Sequence, residues 1–231
     1  MKRPAVEQAD LEKTRRKLLP EMEGFSARRY AALRGTDAQL QISRREAARL
    51  AAPLADGAAV LEVAPGPGYL AVELAKLGRL NITGLDVSRT FVELAAGLAT
   101  RAGVTVDFRL GDVAAMPFED GQFDLVICQA AFKNFSRPLT ALDEIHRVLR
   151  PGGRAIIQDM NADADGVAIR TEVAGMETGR FAALMTRAIL TGLRRRAYSP
   201  GQFEQLARRS EFGSGTVTTE GISLEVTLVK A

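Results

Sequence analysis

The stretch Val60-Leu61-Glu62-Val63-Ala64-Pro65-Gly66-Pro67-Gly68-Tyr69-Leu70 is a short apolar run that ends near a carboxylate, breaks into a glycine-proline loop and opens into a helical pattern. Such a sequence folds as strand, tight turn and helix. Glycines without Cβ let the backbone turn sharply and lie close to a ligand, and the first N–H groups of a helix starting near Tyr69 have no partner within the helix. The segment therefore reads as a nucleotide-binding corner.

Two ligand classes use such a corner. Gly66-Pro67-Gly68-Tyr69-Leu70-Ala71 satisfies G-x-G-x-x-G/A, and Asp86 follows about twenty residues on, as dinucleotide binding requires. Glu62 argues the other way. A carboxylate at the end of the first strand repels a pyrophosphate lying on the adjacent loop but helps to hold a zwitterionic or cationic ligand. That favours S-adenosylmethionine, whose amino-acid group is zwitterionic and whose sulfonium is positive.

Further blocks follow in order: Gly84-Leu85-Asp86-Val87-Ser88, Gly111-Asp112-Val113 with Met116-Pro117-Phe118, Phe123-Asp124-Leu125-Val126, and His146-Arg147-Val148-Leu149-Arg150-Pro151-Gly152-Gly153. With Glu62 to Gly68, this series resembles the class I S-adenosylmethionine-dependent methyltransferases, and among them the small-molecule group that includes the ubiquinone/menaquinone C-methyltransferases. The resemblance is strong over residues 55–160 and loose elsewhere. It departs from the family at Ala64, where glycine is usual; alanine lets the loop close, but a positive φ there is disfavoured.

A chain of 231 residues with 46% hydrophobic content and a mean hydropathy of −0.03 suits one soluble domain with a substantial core. No apolar run approaches the roughly eighteen residues that span a bilayer, and the start, Met1-Lys2-Arg3-Pro4, is not a signal-peptide core, so a cytoplasmic protein without stable membrane insertion is predicted. One cysteine, Cys128, precludes an internal disulfide, and with one histidine, His146, it is too little for a His/Cys metal cluster, so no metal is expected.

The net charge of +3 is unevenly spread. Residues 1–50 carry twelve Lys/Arg against seven Asp/Glu, residues 51–175 eleven against sixteen, and residues 176–231 eight against five. Basic flanks around an acidic centre are either solvated helix faces or a rim that attracts an anionic substrate or a membrane surface.

Apolar spacing predicts helices over 5–20, with Leu11, Leu18 and Leu19 on one face, and over 25–50, lined by Ile42, Ala47 and Leu50. Strands are expected near 59–64, 80–86, 104–109, 123–129, 153–160, 215–219 and 222–229, with helices near 68–77, 89–101, 138–149 and 200–210. Strand alternating with helix marks an α/β fold with a doubly wound, mostly parallel, seven-stranded sheet; the last two strands, joined by Glu220-Gly221, must be antiparallel. One domain over 1–231 is expected, with an N-terminal helical extension over 1–55 and a helical insertion over 161–199. In the insertion Phe181, Leu184, Met185, Ala188 and Ile189 recur at helical spacing, either as core packing or as a roof over the substrate.

Ligands of such sheets bind outside the carboxyl ends of the strands. Asp86, ending strand two, is placed to accept from ribose hydroxyls, or to cap the next helix, which Ser88 can do instead. The resemblance implies that Asp112 accepts from the adenine amino group, with the Val113 N–H facing a ring nitrogen and Met116 or a neighbour against the ring. Glu62 touches the ligand directly or through water, or braces the glycine loop. Ala64, Gly66, Gly68, Val87 and the backbone of Gln129 complete the expected cofactor set.

Tyr30, Phe132 and Met185 are candidates for substrate contact, and Arg28, Arg29 and Tyr198 for closing the pocket. Cys128 reads as a buried hydrophobe and His146 as surface or packing. Relatives often have histidines near Lys133 and Asn134; this chain has none there, so its candidates for proton transfer are Lys133, Tyr198 and Asp159. A sulfonium methyl is already activated, so alignment in a water-poor pocket supplies most of the acceleration.

The expected function is methyl transfer from S-adenosylmethionine to a small, apolar or anionic acceptor. A nicotinamide-dependent oxidoreductase is the alternative that the glycine match allows, although no Tyr/Lys or His/Asp arrangement supports it, and a catalytically silent binding module is another. With 6% aromatic residues and no stacking motif, nucleic acid is not an expected partner. A homodimer is possible.

Overall fold

The computed structural model describes residues 21–175 and 180–231. The helix expected over 5–20, with Leu11, Leu18 and Leu19, lies outside the described residues, as does the side chain of Phe181.

The strands are β1 Ala59–Val63, β2 Asn81–Asp86, β3 Asp107–Leu110, β4 Phe123–Gln129, β5 Leu149–Met160, β6 Thr216–Glu220 and β7 Ser223–Val229. They form a single sheet in the order β3-β2-β1-β4-β5-β7-β6, parallel from β3 to β5, with β7 antiparallel to both β5 and β6. The strand order reverses between β1 and β4, and the crevice at the carboxyl ends of these two strands is where such a sheet admits a ligand. Arg150-Pro151-Gly152-Gly153 does turn, as a bulge in β5: Phe123 pairs with Leu149, and Leu125 next with Arg154. Gly152 takes φ +77° there.

The helices are α1 Gly24–Arg34, α2 Asp37–Ala51, α3 Tyr69–Ala75, α4 Arg89–Ala102, α5 Pro138–Val148, α6 Gly166–Gly175, α7 Arg180–Arg194 and α8 Pro200–Arg209. The single helix expected over 25–50 is two, because Gly35-Thr36 interrupts it and the Thr36 side chain caps α2 by accepting from the Gln39 N–H. Ala47 and Leu50 line its buried face as expected, but Ile42 is half exposed.

Side chains alternate across the sheet, and both faces are covered. Leu61, Val63, Val126 and Cys128 pack under Leu142 and Ile145 of α5 and Leu206 of α8, whereas Val60, Leu125 and Ile127 pack under Leu50 of α2 and Leu70 and Leu74 of α3. Each such side chain, removed from water, contributes about 1.5–3 kcal/mol. A sheet clamped on both faces keeps its carboxyl edge rigid.

The expected insertion is α6 and α7, which leave the end of β5 and return where Asn161 bridges Tyr198. Its apolar stripe, as far as it is described, is not core packing. Leu184, Met185 and Ile189 face solvent, because α7 buries the opposite side, Leu190 and Leu193, against the small cluster of Met160, Ile169 and Ala197.

Candidate active site

Glu62 lies one residue before the end of β1, inside the crevice, and is buried. Among the described residues its Oε2 has no hydrogen-bond partner, and a donor that favours its charge is the backbone N–H of Ala71, in the first turn of α3. Burial, with Asp86 nearby, pushes its pKa up to about 8. An orphaned carboxylate oxygen in a core is expensive unless a donor or cation arrives to meet it.

The loop above Glu62 is built from left-handed residues. Ala64 takes φ +54°, Gly66 φ +55° and Gly68 φ +81°. Gly68 is obligatory twice over: its φ suits glycine, and a Cβ would stand 2.7 Å from that of Ala95. At Gly66 a Cβ would meet nothing within 4 Å, so the loop faces open space where a ligand can approach the backbone. Ala64 thus adopts the positive φ that alanine disfavours. Ala130, just beyond the end of β4, is the other non-glycine residue with a positive φ among the described residues, at +55°. The two thus flank the crevice where β1 and β4 diverge.

Asp86 ends β2, buried, and ties the corner together: its Oδ2 accepts from the Gly66 N–H at 3.0 Å and its Oδ1 from the Ser88 N–H at 2.9 Å. Burial raises its pKa. It does not cap α4; Ser88 does, through its Oγ and the Phe91 N–H at 3.1 Å. Val87, between them, is exposed.

Asp112 follows β3 on the surface. Its Oδ1 accepts from the Ala114 N–H at 2.9 Å and its Oδ2 from Arg137 Nη2 at 2.8 Å. Val113 is buried beside it, and Met116 packs in the core with Phe118. The Gln129 side chain turns away to donate to Gln158 Oε1, leaving its backbone at the end of β4.

The candidates for proton transfer are brought together only in part. Lys133 and Asp159 form a buried ion pair, and Tyr198 lies in the core beside Phe132 and Phe203. Phe132, expected at the substrate, is instead wholly buried in this aromatic cluster, where the short 3₁₀ turn Phe132–Asn134 directs it inward. Met185 is exposed on α7, and Tyr30 packs edge-on against Phe91 at 5.9 Å. Arg28 and Arg29 are exposed. Cys128 is buried, which pushes its thiol pKa up, and His146 packs edge-on against Phe212.

Sequence reasoning missed Glu23. Its carboxylate accepts from the N–H groups of Arg89 and Thr90 and from the Thr90 hydroxyl, strapping the chain before α1 across the start of α4, next to Asp86. The Thr90 hydroxyl, first among these donors, holds its pKa below the usual carboxylate range. A contact across 66 residues leaves no local pattern to read. A groove of about 590 Å³ beside α5, lined by Asp143, His146 and Arg147 among others, contains none of the expected cofactor residues.

Sheet order, antiparallel finish, acid-ended β1, glycine loop and acid-ended β2 together define the Rossmann-like fold of the class I methyltransferases. Residues 61–157 match the family described as the methyltransferase domain. The chain is 35% identical over 109 residues to a demethylmenaquinone methyltransferase of Deinococcus radiodurans, covering 47% of this chain and 45% of that one. It is 35% identical over 127 residues to an O-methyltransferase of Aspergillus sclerotiorum, covering 54% and 47%. The chain thus spans less than half the length of either relative. In fold it is similar to the crystal structure of a putative S-adenosyl-L-methionine-dependent methyltransferase of Methanococcus maripaludis, with a TM-score of 0.71 at 19% identity over 92% of this chain and 95% of that one.

Proposed function

We propose that the protein transfers a methyl group from S-adenosylmethionine to a small-molecule acceptor. The observation that carries this reading is the unpartnered Oε2 of Glu62, buried at the switch of strand order beneath an open glycine loop. A carboxylate there suits the ammonium end of the cofactor and is hostile to a dinucleotide pyrophosphate, which disfavours the oxidoreductase alternative. Asp86 would hold the ribose, and Asp112 with the Val113 N–H the adenine. Gly66, Gly68, Ala64 and the Gln129 backbone would line the amino-acid end. The cofactor supplies an already activated methyl group.

The protein's share of the work is then to bind, align and exclude water. Lys133 and Asp159 engage one another, and Tyr198 is enclosed by aromatic rings. The reading therefore assigns no general base and favours an acceptor that is already nucleophilic. The relatives' names divide between a quinone precursor and O-methylation, so the acceptor atom is left open. We further read the described chain as one domain with its extension and insertion at the sheet's carboxyl edge, and place it in the cytoplasm, which a single buried, unpaired cysteine suits. Among the described residues no helix is long and apolar enough to cross a membrane.

Calorimetric titration with S-adenosylmethionine and separately with NADH tests the assignment. Binding of the first and not the second is expected, with at least a tenfold loss of affinity in Asp86→Ala, about 1.4 kcal/mol. Binding of NADH alone would refute it. Transfer of a labelled methyl group to any metabolite in an extract would remove the silent-module alternative.

A further inference from the structure

We propose that the outer face of α7 docks on an anionic phospholipid surface. The helix runs without a carboxylate, and no Asp or Glu occurs from residue 178 to residue 203, a stretch holding five arginines. Its solvent-facing side presents Leu184, Met185 and Ile189, which are 63%, 49% and 57% exposed. Arg187 and Arg195 border this stripe, lining with Leu184 and Ala188 a shallow groove of about 350 Å³. Among the described residues neither arginine has an ion-pair partner. Three large apolar side chains in water, flanked by uncompensated guanidinium groups, have the chemistry of a helix lying in the plane of a bilayer. The apolar residues enter the boundary of the acyl chains and the arginines meet lipid phosphates.

A second element agrees. On α1, which also lacks carboxylates, Phe25, Arg29 and Leu33 fall four residues apart on one face, and Phe25 and Leu33 are 80% and 67% exposed. This helix is tethered beside the carboxyl end of β2, through the Gly24 N–H to Thr90 Oγ1 at 2.9 Å, while α7 rests on Met160 at the carboxyl end of β5. Both exposed faces thus belong to the edge of the sheet that carries the candidate site. Docking there would let an apolar acceptor pass from lipid to the crevice without crossing water.

Vesicle binding is read without cofactor or turnover, so it stands or falls apart from the proposed activity. The purified full chain is sedimented with vesicles of equal parts phosphatidylglycerol and phosphatidylcholine, and with phosphatidylcholine alone, in low and high salt. Binding to the anionic vesicles only, weakened by salt, is expected. Arg187→Gln/Arg195→Gln should lower the partition about fivefold for each arginine removed, and Leu184→Gln/Ile189→Gln should lower it at least tenfold. Thermal melting of both variants should match that of the parent, since these side chains are exposed. Equal binding to neutral vesicles, no binding to either, or full binding by both variants would overturn the proposal. So would a dimer, seen by sedimentation velocity, that Leu184→Gln/Ile189→Gln dissolves, because a second copy would then be the occupant.

Discussion

Lys133 Nζ lies 2.7 Å from Asp159 Oδ1, with side chains 6% and 1% exposed, joining the segment after β4 to the end of β5. Asp159 also accepts from the backbone N–H groups of Lys133, at 2.9 Å, and Met160, at 2.7 Å, while Lys133 Nζ donates to the carbonyl of Ala130. The pair therefore holds in place the left-handed turn that follows β4.

Removing the acid should cost more than removing the base. Asp159→Leu strands a buried ammonium and two backbone donors, a loss of about 3–5 kcal/mol. Lys133→Met leaves a carboxylate that keeps two N–H partners, and should cost about 1–3 kcal/mol. The double variant should be less destabilised than the sum of the two, as measured by urea unfolding. Equal single costs would show that the backbone donors matter little.

Glu62→Gln separates stability from binding. With a pKa of about 8 in the folded protein against 4.5 unfolded, the native state retains a proton that the unfolded chain releases between these values. Stability from this group is complete below about pH 4.5 and is lost as the pH rises through 8. Glutamine, which never ionises, should raise the melting temperature at pH 8 more than at pH 5, by roughly 1–3 kcal/mol of stability. The same change should weaken S-adenosylmethionine binding. For the parent protein, that affinity should rise from pH 6 to pH 8 as the carboxylate becomes available. A flat affinity profile would separate Glu62 from the cofactor.

Ala64→Gly should stabilise the protein. Alanine at φ +54° costs about 1–2 kcal/mol relative to a right-handed conformation, and glycine removes most of that strain while adding unfolded-state entropy. A net gain of roughly 0.5–1 kcal/mol is expected in thermal melting, with a similar gain for Ala130→Gly. If Ala64→Gly melted lower, the loop would owe its shape to the methyl group.

Asp112→Ala and Arg137→Ala remove the two halves of one exposed ion pair, with side chains 49% and 45% exposed. Such pairs contribute about 0–1 kcal/mol, so neither change should shift stability much. Only Asp112→Ala should cut cofactor affinity, by roughly five- to thirtyfold for one lost hydrogen bond of about 1–2 kcal/mol. Equal losses by calorimetry would make Arg137 part of the adenine site.

The strand-end acids and glycine loop were legible because each is set by neighbours in sequence. Glu62 and Asp86 end apolar runs, and Gly66 and Gly68 sit where a turn must bend. The alternation of Val60, Leu61 and their neighbours announced a strand buried on both faces. Phe132 and Ile42 were misplaced, because which side of a short turn or helix faces inward depends on packing partners distant in the chain. The Glu23 strap and the Lys133–Asp159 pair join such distant segments too, and so went unread.

The sequence by itself determined the alternation of strands and helices and the residues that end the strands at the crevice, since local sterics and burial periodicity are written residue by residue. Only the tertiary structure decided that Glu62 keeps an unpartnered oxygen, that Lys133 is consumed by Asp159, and that the apolar stripe of α7 faces outward. Each of these depends on which surfaces remain once the sheet has claimed its helices, a competition among all segments at once.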